Sequence, residues 1–128
     1  MTKNSISFFY DDSFLQHKPP VGHPERPDRL SSIVRHLKLC GLWNVLNHRA
    51  PTAASDDHIL SVHTKEHLET IRQVCESGGG MLDLGDTHAV RESFEVATRA
   101  AGSVLNAIDD VLNGQVTAAF CAVRPPGH

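Results

Sequence analysis

The sequence has few cysteines, no long apolar run and no excess of positive charge, and each absence excludes a class of protein. The three cysteines are widely spaced without a CxxC pair, which is typical of reduced thiols and not of a disulfide framework. No stretch approaches the roughly 18 apolar residues that span a bilayer. The first residues also lack the apolar run and cleavage site of a secretory signal. We therefore expect a cytoplasmic protein that makes no membrane contact.

The charge balance also narrows the function. Twelve Lys and Arg against 15 Asp and Glu give a formal net charge of −3. This balance argues against direct nucleic-acid binding by phosphate neutralisation. A length of 128 residues predicts one domain. The unusual feature is histidine, which occurs nine times.

Apolar runs alternate with helical periodicities along the chain. Strands are predicted at 6–10, 45–50 and 118–123, and the last is apolar enough for burial on both faces. Helices are predicted from Leu30 to Gly41, after the N-caps Ser55 and Thr64, and over 92–112. The apolar face predicted for the last helix comprises Phe94, Ala97, Ala101, Val104, Leu105, Ile108 and Leu112. Residues 81–90 are predicted to be a loop. Strands separated by helices predict an α/β fold with a mainly parallel sheet flanked by helices.

Two motifs stand out against this background. HPERPDRL, residues 23–30, contains ordinary helix-start chemistry, with prolines and acidic residues before an apolar periodicity. RPPGH, residues 124–128, follows the last strand with a rigid turn that directs His128 at the strand's carboxyl edge. An imidazole held there can act as a general base, and a histidine on a surface turn is the alternative.

The order of these segments resembles a known family. YDDSFLQH, HPERPDRL, SVHT, GGG with GDT, the long helix and AAFCAVRPPGH follow one another as in the N-terminal part of the histone deacetylase superfamily. The resemblance is to its class II, bacterial deacetylase-like amidohydrolase, acetylpolyamine amidohydrolase and acetoin-utilisation branch, and it covers essentially all of residues 1–128. It implies part of an arginase/deacetylase-like fold, truncated before the catalytic C-terminal part.

The resemblance also implies roles for three residues. His128 matches the first histidine of a catalytic pair that acts in proton transfer. Asp86 matches a carboxylate at the rim of the site that hydrogen-bonds the substrate. Arg29 matches an arginine lining an internal channel behind the site. The implied reaction is zinc-dependent hydrolysis of an N-acetyl amide, on an acetyl-lysine side chain or an acetylated polyamine.

This chain departs from the family pattern at its end. The family's zinc ligands and transition-state tyrosine follow the RPPGHH segment, and the sequence stops at His128. We therefore expect no zinc bound to this chain alone and no activity from it. The isolated His128 is then a disordered terminal residue in the alternative interpretation.

Other residues carry weaker hypotheses. His63 and His67 have i, i+4 spacing, but the sequence between them is not HExxH and Thr64 is a candidate N-cap. His17 and His23 flank a proline-rich loop and are expected to pack or hydrogen-bond near the rim, with a ligand role as the alternative. Asp83 and Asp86 are simple loop carboxylates in the alternative interpretation.

A second class of function also fits the length. The chain can be a non-enzymatic oligomeric or binding module derived from the deacetylase fold. In either case the run 118–123 and the long helix leave apolar surface uncovered, so we expect a homo-oligomer.

Overall fold

The computed structural model describes residues 5–127. Within that span the chain forms four α-helices: α1 (Asp28–Leu39), α2 (Asp56–Leu60), α3 (Lys65–Glu76) and α4 (Ser93–Leu112). The same span contains five strands: β1 (Ile6–Phe9), β2 (Asn47–Arg49), β3 (Gly79–Met81), β4 (His88–Val90) and β5 (Ala118–Cys121). Short 3₁₀ helices over Asp12–Gln16 and Trp43–Val45 lie in the connections.

A parallel sheet of three strands, ordered β2-β1-β5, forms the centre of the fold. Ser7 of β1 lies opposite Asn47 of β2 and opposite Ala119 of β5. Because β1 and β5 are parallel, their carboxyl ends lie at the same edge of the sheet. The predicted α/β class with a parallel sheet is confirmed.

The core is small and is built around the central strand. Its buried residues come from β1, the first 3₁₀ helix, α1, α4 and the segment after β5: Phe8, Phe14, Leu30, Val96, Ala100 and Ala122. Phe8 stacks on Phe120 of β5 and meets the edge of Trp43. The core therefore joins the sheet to both long helices that flank it.

The predicted N-caps are confirmed by their hydrogen bonds. The Ser55 hydroxyl accepts from the backbone N–H of His58, and the Thr64 hydroxyl accepts from that of His67. The end predicted for α1 is also confirmed, since the helix stops at Leu39 and Gly41 adopts a positive φ of 79°.

The prediction that 81–90 is a loop is wrong in part. β3 and β4 form an antiparallel hairpin in which Gly79 lies opposite Val90. Gly79 has a φ of 103°, and a Cβ there would lie 2.4 Å from the carbonyl oxygen of Ala89. Each of these strands has only three residues, and a glycine-rich strand has no apolar alternation, so the local composition predicts only the intervening turn.

The apolar face predicted for α4 is not the face that packs on the sheet. Ala101 is exposed, as are Val104, Ile108 and Leu112. The buried residues are mostly small or polar: Ser93, Val96, Thr98, Ala100, Gly102, Ser103, Ala107 and Asp110. Close helix packing favours small side chains, and the buried polar groups have partners, so this face is buried despite its low hydrophobicity.

β5 is not buried on both faces within the described residues. Ala118 is exposed and Phe120 retains 53% of its accessible surface. The reason is topological, because β5 is an edge strand of the described sheet. No helix in residues 5–127 is both long and apolar enough to cross a membrane.

Candidate functional site

The two motifs singled out in the sequence meet at the carboxyl edge of the sheet. Arg124, three residues beyond β5, is only 1% exposed. Its Nη2 donates to Glu25 Oε1 at 2.8 Å and its Nε donates to Oε2 at 3.3 Å. Its Nη1 donates to the carbonyl oxygens of Phe14 and His17. One guanidinium therefore connects the turn after β5 to both ends of the loop after β1.

Glu25 is held in its ionised form by this arrangement. Burial raises its pKa, but hydrogen bonds from Arg124 and Arg29 outweigh burial and hold the pKa of Glu25 below its usual range. The Arg29 Nη1 donates to Glu25 Oε2 at 2.8 Å. A depressed carboxylate pKa stabilises the folded chain at neutral pH, and this contribution is lost as the pH falls through the folded-state pKa.

His17 and Ser93 form a buried pair beside Arg124. The two side chains hydrogen-bond through His17 Nδ1 and Ser93 Oγ at 2.7 Å, and Ser93 Oγ also accepts from the backbone N–H of Val90. Burial lowers the pKa of His17, and the positive charge of Arg124 acts in the same direction, so the imidazole is neutral at pH 7. A serine and a histidine in this geometry resemble a nucleophile and its base. Both are buried, however, so the pair holds the β4–α4 connection against the loop.

His23 contacts the loop that contains Asp86. The His23 Nε2 lies 3.2 Å from the carbonyl oxygen of Asp86 and 4.0 Å from its Oδ2. The Asp86 side chain is 88% exposed. Asp83 orders the same loop, since its Oδ1 accepts from the backbone N–H groups of Gly85 and Thr87. Both His17 and His23 make hydrogen bonds, as expected, and their place at the rim of a substrate site stays a prediction.

Arg29 and Arg124 both line a cavity. The cavity has a volume of about 410 Å³. Its lining comes from α1, β5 and the segment after β5: Arg29, Leu30, Ile33, Phe120, Cys121, Ala122, Val123 and Arg124. The Arg29 guanidinium reaches Glu25 at the cavity's edge, and the role in a channel stays a prediction.

Other histidines lie away from this edge or outside the described residues. His63, just before α3, and His67, in its first turn, are exposed, with ring centroids 5.0 Å apart. The Nδ1 of His88 is buried and has no hydrogen-bond partner among residues 5–127. His128 lies outside the described residues.

The residues present do not fit a metal centre. Across residues 5–127 no three side chains of His, Cys, Asp or Glu are grouped closely enough to hold a metal ion. A structural or catalytic zinc site takes at least three such protein ligands.

Sequence reasoning missed the most strongly bound residues of the site. The helix-start pattern of residues 23–30 predicts Glu25 in the first turn of a helix, whereas α1 begins at Asp28 and Glu25 pairs with Arg124. No motif in the sequence marks Ser93. An arginine directly after a continuous apolar run is the one signal available, because burial of a charge there requires a carboxylate partner.

Known proteins share this arrangement of sequence and fold. Residues 23–128 match the histone deacetylase domain family. The chain is 32% identical over 145 residues to a histone deacetylase-like amidohydrolase of Pseudomonas aeruginosa, covering 100% of this chain and 38% of that protein. It is 31% identical over 134 residues to histone deacetylase 5 of Arabidopsis thaliana, covering 98% of this chain and 20% of that protein.

A solved structure agrees with these relatives. The crystal structure of the HDA15 HD domain superposes with a TM-score of 0.91 at 29% identity, covering 99% of this chain and 37% of that one. The chain thus spans well under half the length of the relatives it matches. The predicted deacetylase-like fold is confirmed. Because the family match extends over most of the sequence, this chain belongs to the histone deacetylase domain family.

Proposed function

We propose that residues 1–128 form the N-terminal portion of a deacetylase-like amidohydrolase that hydrolyses N-acetyl amides. The substrate class is an acetyl-lysine side chain or an acetylated polyamine, as in the branch that the sequence resembles. Support comes from the family match over residues 23–128 and from the amidohydrolase relative in Pseudomonas aeruginosa. The proposal includes a cytoplasmic location and no direct nucleic-acid partner.

The observation that carries this proposal is the buried pair of Arg124 with Glu25. It joins the two family motifs at the carboxyl edge of a parallel sheet, where α/β proteins build their ligand sites. In the proposed enzyme this pair anchors the turn that leads to His128, which acts as a general base or electrostatic member of a histidine pair. Zinc is proposed for the intact enzyme, where it would supply Lewis-acid chemistry, and none of its ligands is assigned among residues 5–127.

The direct test uses the full reading frame that contains these residues. The purified product is assayed for acetate release from an acetyl-lysine peptide and from an acetylated polyamine. Hydrolysis of either substrate supports the proposal, and the ratio of the two specificity constants identifies the substrate class. A folded product that hydrolyses neither contradicts it.

Asp86 tests the substrate-binding part of the proposal. In the full-length protein we expect Asp86→Asn to lower kcat/KM by about 10- to 150-fold, since a hydrogen bond to a charged acceptor is worth roughly 1.5–3 kcal/mol. Asp57→Asn, which alters an exposed carboxylate of α2, is the matched control and should leave kcat/KM unchanged. An unchanged kcat/KM in Asp86→Asn would return Asp86 to a simple loop carboxylate.

The isolated chain provides a second prediction. Because no ligand set of three residues is recognisable in its sequence, we expect the purified 128-residue chain to hold no stoichiometric zinc and to release no acetate from an acetyl-lysine peptide. Elemental analysis after dialysis against metal-free buffer measures the first, and the assay above measures the second. One tightly held zinc per chain together with deacetylation would show the prediction wrong.

The alternative function is a non-enzymatic oligomeric or binding module. It is favoured by apolar side chains that stay exposed on α4 and β5, among them Ile108, Leu112 and Phe120. Exposed apolar surface of this kind is unusual on a soluble monomer. This alternative would be supported if the product of the full reading frame hydrolyses no acetylated substrate but still forms oligomers.

We expect the isolated chain to form a homodimer or higher oligomer through these side chains. Ile108→Glu and Phe120→Glu should each shift the assembly towards monomer by about tenfold or more, because each places a charge in an apolar contact. Val21→Glu alters a fully exposed apolar residue in the proline-rich loop and should leave the assembly unchanged. Light scattering that gives a folded 14.0 kDa monomer at high micromolar concentration would refute the expectation.

A further inference from the structure

The tautomer of His23 follows from its hydrogen bonds. The backbone N–H of Glu25 donates to His23 Nδ1 at 3.0 Å, so Nδ1 is an acceptor and carries no proton. A neutral imidazole with an accepting Nδ1 has its proton on Nε2. The Nε2–H is therefore free to donate to the carbonyl oxygen of Asp86, which lies 3.2 Å away. One ring thus bridges two segments that are 63 positions apart in the sequence.

Of the two segments that this ring connects, the one that contains His23 is held more firmly than the loop that contains Asp86. The His23 side chain is mostly buried, whereas the Asp86 side chain is almost fully exposed. Glu25, which donates to the ring, is itself held by Arg124 and Arg29 through its carboxylate. A continuous series of hydrogen bonds therefore leads from the turn after β5, through Glu25 and His23, to the backbone of Asp86.

The loop around Asp86 has few other constraints of this kind. Its internal bonds run from Gly85 and Thr87 to Asp83, so they shape the loop without attaching it to the rest of the molecule. The bond from His23 attaches the loop at Asp86 itself. Because the Cα–Cβ bond is fixed relative to the backbone, this bond restricts the directions from which the Asp86 carboxylate can extend.

We propose that His23 is a positioning residue that orients the Asp86 carboxylate for substrate binding. This inference rests on the proposed function, in which Asp86 hydrogen-bonds the acetylated substrate. His23 does not touch the substrate in this arrangement. It acts through Asp86, so its contribution to substrate binding is lost when Asp86 no longer hydrogen-bonds the substrate.

Two substitutions separate the two hydrogen bonds of the ring. In His23→Asn the amide oxygen takes the place of Nδ1 and still accepts from Glu25, but the side chain is too short to reach Asp86. In His23→Gln the amide nitrogen takes the place of Nε2 and restores a donor to Asp86. His36→Asn changes an exposed histidine of α1 and serves as the matched control.

The kinetic test uses the full-length protein with the acetylated substrate that it hydrolyses best. We expect His23→Asn to raise KM about tenfold with kcat within about twofold, as for the loss of one hydrogen bond. His23→Gln should recover most of this loss and His36→Asn should show none. In an Asp86→Asn background, His23→Asn should have no further effect, because the two residues act as one unit. An equal loss in both backgrounds would overturn the inference.

A measurement without substrate separates this inference from the proposed function. Hydrogen exchange of the amides of residues 83–87 is followed in the 128-residue chain. We expect about tenfold faster exchange in His23→Asn than in the unaltered chain, and recovery in His23→Gln. Unchanged exchange in His23→Asn would overturn the positioning role whether or not the full-length protein is a deacetylase. Faster exchange with no hydrolytic activity in the full-length protein would contradict only the proposed function.

Discussion

Arg124→Ala is expected to lower the free energy of unfolding by about 3–5 kcal/mol, the usual result of removing one partner of a buried ion pair. The substitution leaves the Glu25 carboxylate, whose side chain is 15% exposed, without its bidentate partner. It also removes the donor to the carbonyl oxygens of Phe14 and His17. Because a charge and two carbonyl groups lose their partners together, the cost exceeds that of one hydrogen bond.

Urea unfolding followed by circular dichroism measures this change. Arg26→Ala is the matched control, because Arg26 pairs with Asp28 on the exposed surface, and its removal should cost less than about 1 kcal/mol. The loss of unfolding free energy for Arg124→Lys should lie between these two values, because lysine keeps the positive charge but lacks the planar set of N–H donors of the guanidinium. A loss below 1 kcal/mol for Arg124→Ala would show that the pair does not hold the carboxyl edge together.

Gly102→Ala is the second substitution for which we expect a large loss, about 3 kcal/mol or more. A Cβ at this position would lie 1.7 Å from the carbonyl oxygen of Thr52 and 2.8 Å from the backbone nitrogen of Ala54. Both atoms belong to backbone, which cannot move aside as a flexible side chain does. The neighbouring bonds, from the Ala54 N–H to the Thr98 carbonyl and from Thr52 to Asn106, hold this segment against α4. Overpacking against a fixed segment forces the helix away from it.

The sign of this result is diagnostic. In an exposed helix, replacing glycine by alanine stabilises by up to about 1 kcal/mol. Ala101→Gly, at the exposed position before Gly102, is the control and should lower the free energy of unfolding by about 1 kcal/mol. If thermal unfolding instead shows that Gly102→Ala stabilises the chain, the close approach of residues 52–54 to α4 is wrong.

Local patterns predicted the parts of the fold that depend on a few adjacent residues. The N-caps at Ser55 and Thr64 follow from side chains that bond their own helix three residues on. The alternation of strands and helices predicted a parallel sheet, because parallel strands need crossover connections. The family resemblance added the fold and the motifs of residues 23–30 and 124–128.

The site could be predicted only in outline. The sequence pointed to Asp86, Arg29 and His128 through the resemblance, and to His17 and His23 as rim residues. It did not reveal that Glu25 and Arg124 form the buried centre of the arrangement, because they lie 99 positions apart and each has an ordinary local interpretation. The bond between His23 and Asp86 was hidden for the same reason.

The sequence by itself determined two helix N-caps, the end of α1, the strands of the parallel sheet and the class of fold, since these depend on propensity, capping and periodicity over short spans. Only the tertiary structure decided which face of α4 is buried. Hydrophobicity favoured Val104 and Ile108, but Gly102 allows the backbone of residues 52–54 to approach, and Asp110 accepts from Ser7 and Arg49 below the helix. Steric fit and paired polar groups outweighed side-chain hydrophobicity there, and both are properties of residues brought together from distant parts of the chain.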